Sequence, residues 1–252
     1  MTLTAFSMST IYGEPGDEKV TGTTKLHPYG TRMVIGERVF KYGQISSAAA
    51  VGAGHICQNA ATVANHDMDL VIASAASVGD NSLSITLGGT AATEDQYADG
   101  YVYVNDAGGE GHIYKIRQHD AVNSSATGTF NLYDGDTIAE ALTTSSLVGL
   151  IKNPYKDVIV YPTTTSGHCV GVAAAEIAAS SYGWFQTWGL AAVLCDVAFV
   201  PGNHIRVSDN TAGSAEPLDR SATGEDDENI GVATLIAPVS TDYGIVDLRI
   251  AP

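Results

Sequence analysis

His55 and Cys57, followed by His66, Asp67 and Asp69, form the densest run of metal-ligating side chains in the sequence. They lack the paired CxxC or HExxH spacing that lets one short segment present two ligands together, so ordinary loop polarity accounts for them. Asp134-x-Asp136 and Glu225–Glu228 offer oxygen ligands without the ligand ladder of a calcium loop, and read as solvated acidic loops. Ser166-Gly-His168-Cys169 sets an imidazole beside a thiol. Neighbours on a strand point to opposite faces, so that pair is not a nucleophile with its base. No G-x-S-x-G elbow, Walker A motif or GxGxxG occurs, and Gly108-Gly-Glu-Gly111 runs into a strand pattern, with no helix to cradle phosphate. Glycosidase-type carboxylate pairs need not be close in sequence, and nothing singles one out here. The expectation is a protein that is not an enzyme, with no catalytic residue, no metal and no cofactor.

The composition points the same way. The chain has 252 residues, 28 acidic and 12 basic, for a net charge of −16. Charged residues make up 16% of it, against about 25% in an ordinary domain, and a surface this poor in charge suits contact with other proteins. The acidic balance argues against nucleic acid and anionic membrane as partners, since both need a basic patch. No window approaches a membrane-spanning stretch, and the start carries no secretory pattern. Three scattered cysteines, Cys57, Cys169 and Cys195, make no disulfide framework; the last two read as buried small hydrophobes in a protein folded in a reducing cytoplasm.

The elements that would position any site are strands. Period-two or β-rich runs cover Arg38–Ile45, Asp69–Ala73, Ser82–Leu87, Tyr101–Asn105, His112–Arg117, Thr129–Tyr133, Val158–Tyr161, Cys169–Val172, Trp184–Trp188, His204–Ser208, Ile230–Ile236 and Ile245–Ile250. Turn residues separate them, and Asp106-Ala-Gly-Gly109 predicts a hairpin. The best helical pattern is Ile138–Leu147, and Val172–Ala179 suits helix and strand equally. The predicted fold class is mainly β, a sandwich or barrel with a second small β block. Residues 1–30 read as an extended arm, 31–75 as the first strands of an outer domain, 76–156 as a small inserted or adjacent domain, and 157–252 as the C-terminal β domain. No repeat of fixed period is evident.

Aromatic residues concentrate at Tyr182-Gly-Trp-Phe-Gln-Thr-Trp-Gly189. Strict alternation puts Trp184, Gln186 and Trp188 on one face and Phe185 and Thr187 on the other. That face is sheet core, a sugar platform or a subunit contact. With Ala191-Ala-Val193, Pro201-Gly202, Ile230-Gly-Val-Ala233 and Tyr243-Gly-Ile-Val-Asp-Leu-Arg-Ile250, this segment resembles the C-terminal half of tailed-phage capsid decoration proteins. The middle block, with Val78-Gly-Asp-Asn-Ser82, Gln96–Asp106 and Gly109-Glu-Gly111, is similar to virion structural proteins of environmental phages. The likeness rests on turn glycines and core aromatics and carries no catalytic residue.

The resemblance implies a β-tulip-like head protein on the capsid surface of the virion, assembled in the host cytoplasm. Its implied partners are the major capsid protein, whose lattice it would stabilise, and its own copies in a homotrimer. The alternative is a head- or tail-surface module that attaches to host glycan or receptor. An arm of this kind can add a strand to a neighbour's sheet edge, which makes Leu3, Phe6, Ile11, Tyr12 and Tyr29 the candidate partner-interface residues.

Overall fold

The computed structural model describes residues 10–218, 228–235 and 241–252, and it is almost entirely β. Four strands come first: β1 (Ile11–Tyr12), β2 (Arg32–Ile35), β3 (Arg38–Gln44) and β4 (Ile56–Gln58). Six follow: β5 (Leu70–Ile72), β6 (Ser82–Thr86), β7 (Tyr101–Asp106), β8 (Ile113–His119), β9 (Thr127–Leu132) and β10 (Leu147–Ile151). The last seven are β11 (Ile159–Val160), β12 (Cys169–Ala173), β13 (Tyr182–Leu194), β14 (His204–Val207), β15 (Ala215–Pro217), β16 (Asn229–Ala233) and β17 (Tyr243–Arg249). Among the described residues no helix is long and apolar enough to cross a membrane.

The chain divides into two compact units, and the middle one is Ala61–Asn153. Its six strands close into a barrel in the order β10-β5-β6-β9-β8-β7. Period-two alternation does the work. Leu83 and Ile85, Val102 and Val104, Tyr114 and Ile116, Phe130 and Leu132, and Val148 and Leu150 all point inward and are buried. Each side chain so buried is worth about 1.5–3 kcal/mol over leaving it in water. The boundary differs from the expected 76–156, because β5 pairs with β6 and β10 and so belongs to the barrel instead of the outer domain. The Leu150 N–H donates to the His66 carbonyl at 2.7 Å, so entering and leaving segments run side by side. Residues 61–153 expressed alone are therefore expected to melt in one cooperative transition with a native near-ultraviolet circular dichroism signal. A featureless melt would show that the unit needs the rest of the chain.

The outer unit holds the other eleven strands in one sheet. Along its main path the order is β1-β2-β3-β13-β17-β16-β14-β15, while β12 pairs with β13 and with β4, and β4 pairs in turn with β11. The largest core forms where Ile56, Cys169 and Val172 meet Ala191, Val193, Val246, Leu248, Ile230 and Ile205. All three cysteines are free and buried. Burial pushes the Cys195 thiol up to about 11 and raises the Cys57 and Cys169 thiols as well, so none is a ready nucleophile.

The helical pattern read at Ile138–Leu147 does not form a helix. Ile138 and Leu142 carry helical spacing, yet neither lies in a helix; both are buried in the barrel core. Leu142 exchanges both main-chain hydrogen bonds with Ala76, and the pairs Ala92/Val122 and Val51/Ile177 do likewise. After Val51, Val122, Leu142 and Ile177 the chain turns and enters a strand at Ile56, Thr127, Leu147 and Tyr182, always the fifth residue on. The turn is closed by a left-handed residue in three of the four, Gly54, Ser125 and Ser180. The copies are irregularly spaced along the chain, which is why a search for a fixed period finds nothing.

The described part of the N-terminal arm is not a free arm. Ile11–Tyr12 pair in parallel with Met33–Val34, Gly22 and Tyr182 exchange two main-chain hydrogen bonds, and the Tyr42 hydroxyl accepts the Leu26 N–H at 3.1 Å.

Candidate interaction surface

The longest strand, β13, organises the outer unit. Its first half lies between β3 and β12, and its second half pairs with β17. Between the halves, Gln186 pairs with Phe40 but Trp188 pairs with Val39, so Thr187 is an extra residue, a β-bulge. The buried Thr187 holds the C-terminal segment. Its hydroxyl donates to the Ala251 carbonyl at 2.6 Å, and its carbonyl accepts the Ile250 N–H at 3.0 Å. The Gln186 amide donates to the Trp188 and Leu190 carbonyls at 3.1 and 2.9 Å, satisfying oxygens that the bulge displaces from the ladder. Gly189 takes φ +82°, and a Cβ there would lie 2.9 Å from the Glu37 carbonyl.

The bulge corrects the expected single aromatic face. Phe40 and Val39 are adjacent on β3 and face opposite ways, and paired residues share a face. Trp184, opposite Tyr42, therefore lies on the other side of the sheet from Trp188, opposite Val39. Trp184 is 5% exposed and packs with Met33, Phe40 and Tyr42, whereas Trp188 is 37% exposed. The two rings do not form one sugar platform.

What the bulge creates is an open apolar row. Beyond it, Trp188, Leu190 and Ala192 stand exposed on one face of β13. Beside them on β17, Asp247 and Arg249, paired at 3.1 Å, stand opposite Leu190 and Trp188, and Ile245 and the half-exposed Tyr243 stand opposite Ala192 and Leu194. One end of the row borders a recess of about 300 Å³ lined by Ala53, Gly54, Ala173, Ala174, Leu190, Ala192 and Tyr243, with Glu18, Arg38 and Gln186 at its polar end. A Cβ on Gly54 would come 2.6 Å from the Tyr243 ring, so glycine is what leaves room for that ring. Burial works to raise the pKa of the Glu18 carboxylate. The N–H groups of Gly16 and Glu18 and the Arg38 guanidinium, 3.4 Å away, outweigh it, and the group titrates below the usual range.

Of the five arm candidates, Leu3 and Phe6 lie outside the described residues. Tyr12 is 83% exposed at the sheet edge. Ile11 is half-buried against the chain's own Met33 cluster, and Tyr29 is buried with its hydroxyl donating to Gln44 at 2.8 Å and its ring stacked on Tyr182. These two side chains are packed within the protein, and Tyr12 is the exposed one among the described candidates.

The polar groups singled out in the sequence do not assemble into a centre. His55 and Cys57 belong to the outer unit, while His66, Asp67 and Asp69 belong to the barrel. His66 is fully buried; one ring nitrogen donates to the Thr90 carbonyl at 2.8 Å and the other accepts the Tyr97 hydroxyl at 2.5 Å. Burial raises the pKa of that hydroxyl. His119 donates to the Asp120 carbonyl at 2.7 Å and accepts the Tyr97 N–H at 3.0 Å. These hydrogen bonds tie the barrel wall together, a role no spacing in the sequence announces. Asp134 pairs with Arg117 at 3.2 Å, and Asp136 accepts the Lys115 N–H at 2.6 Å. Glu225 lies outside the described residues, and Glu228 accepts the Cys169 N–H at 2.6 Å. Among the described residues, no three His, Cys, Asp or Glu side chains gather as a metal site would require.

A buried ion pair that sequence reading missed is Arg206–Glu216, at 2.5 Å on the neighbouring strands β14 and β15. Ser208 donates to Asp196 at 2.9 Å, and Thr211 donates to the same carboxylate at 2.6 Å. Alternation along His204–Ser208 could have flagged Arg206, a cation inside a β-rich run.

Comparison with known protein families, characterised proteins and solved structures finds no match.

Proposed function

We propose that this protein is a virion structural protein, a capsid decoration protein that binds the outer surface of a phage head and stabilises its major capsid protein lattice. The observation that carries the reading is the open apolar row Trp188–Leu190–Ala192 with Tyr243 and the adjoining recess. Exposed apolar surface costs solubility unless a partner covers it, and a neighbouring recess lets a partner side chain lock the register. A central, bulge-bent strand presents that row rigidly, which suits a clamp more than a moving part. The sequence resemblance supplies the kind of partner, and repeated sites on a lattice would multiply weak contacts into firm attachment. Further copies of the chain, as a homotrimer, complete the proposed assembly.

The test mixes purified protein with shells assembled from the major capsid protein and measures co-sedimentation. Wild type is expected to saturate the shells and raise their disruption temperature. Trp188→Ser/Leu190→Asp is expected to lose at least about 30-fold in affinity, the weight of one anchor residue, while its own melting temperature holds. Equal binding by that variant, or no binding by wild type, would remove the reading.

A further inference from the structure

A second recess lies where the segment Val20–His27 crosses the aromatic end of β3 and β13. It encloses about 200 Å³, with Tyr42, Tyr182 and Trp184 on the sheet side, Leu26 and His27 on the other, and Asp17 at the rim. The rings are set at different inclinations. Tyr42 stacks with Tyr182 at 5.9 Å, meets Trp184 at 63° and 5.0 Å, and takes the His27 ring edge-on at 5.0 Å. Aromatic faces carry negative charge density, and here it adds to one carboxylate. Asp17 accepts the Glu14 N–H at 2.8 Å through one oxygen; its other oxygen has no donor among the described residues. Burial lowers the pKa of His27. No lysine or arginine lines the recess, and Lys25 is directed over the Tyr29 ring instead, 3.9 Å from its centre.

We infer that this recess binds a small organic ammonium ion. The lining carries negative sign from the rings and Asp17 and positive sign from no group, so a cation complements it. Val20, Leu26 and Met33 give apolar walls that cannot replace the water shell of a metal cation. An ammonium ion with an alkyl body brings the charge to the rings and the methyl groups to those walls. The volume suits one trimethylammonium group with a short tail.

The experiment uses the full chain with Trp188→Phe, a position outside this recess, so that Trp184 is the only tryptophan. Choline and tetramethylammonium chloride are titrated at constant ionic strength, with 3,3-dimethyl-1-butanol as the uncharged isostere of choline. Trp184 emission is expected to change saturably with the two cations, and the isostere to bind at least about tenfold more weakly. Asp17→Asn keeps an oxygen for the Glu14 N–H; it is expected to weaken choline about tenfold with an unchanged melting temperature. Saturation-transfer NMR on the choline methyl protons gives an independent readout on the unmodified protein. An equal response to the isostere would make the recess an ordinary apolar crevice and overturn the inference. So would a response to hexoses in place of choline, or no response from either readout up to about 100 mM choline.

Discussion

Phe185→Ala is expected to destabilise the outer unit by about 4 kcal/mol, the largest effect of any single truncation in that unit. Phe185 is fully buried, packs with Ile45, Val51, Val158 and Ile177, and sits on β13 directly between Lys41 of β3 and Ala173 of β12. Removing the ring leaves a cavity that the two flanking strands cannot close, because each is held in register by its own ladder. At this chain length the loss corresponds to a fall of roughly 10 °C in melting temperature. Scanning calorimetry checks it. A change below about 1 kcal/mol would mean that the β3–β13–β12 junction is not the packed centre described here.

Arg206→Met is expected to cost about 3 kcal/mol near neutral pH, the low end for breaking a buried pair because this one borders an open cleft. Arg206 and Glu216 are both only 8% exposed in their side chains, so removing the guanidinium strands a carboxylate in a poor solvent. Burial is the main influence on Glu216 and lifts its pKa above the usual value; Arg206 pulls against it, while Asp209 and Asp196 add to it. A raised carboxylate pKa means that, between the unfolded and folded values, the folded state holds more protons. Stability then falls as pH rises through that window. In Arg206→Met the lift grows, so the deficit should shrink steadily from pH 8 towards the ordinary carboxylate range. Arg206→Met/Glu216→Leu should recover most of the loss. Urea titrations at several pH values measure this, and a pH-independent deficit would show that packing, not charge, is what the arginine supplies.

The second of these variants separates stability from adhesion. Arg206 and Glu216 lie on β14 and β15, whereas the apolar row lies on β13 and β17. Weakening the first should leave shell binding intact at temperatures where the protein is folded.

Much of the architecture was legible from residue order. Period two in Ser82–Leu87 and Tyr101–Asn105 identified the barrel walls, because one face of each strand must leave water and the other must not. The turn at Asp106–Gly109 placed the β7–β8 hairpin; Gly109 takes one of its left-handed steps at φ +81° and Ala107 the other at φ +63°. Strands β1, β2, β4, β10 and β15 escaped notice. They are short, or they follow turns whose residues mimic other structure, as Ile138 and Leu142 mimic a helix while bonding across the barrel.

Chain order and residue type by themselves determined that this protein is built of strands, that Cys169 and Cys195 are core residues, and that Trp184 and Trp188 share one strand. Only the tertiary structure decided which side of the sheet each tryptophan faces. One extra residue at Thr187 reverses the alternation, and that residue is held by hydrogen bonds to a segment more than sixty positions away. It also decided that Tyr29 is internal and Tyr12 is not, because the arm folds back along β2. Local pattern records how a strand divides its residues between two faces; which face meets water depends on what distant chain arrives to cover the other.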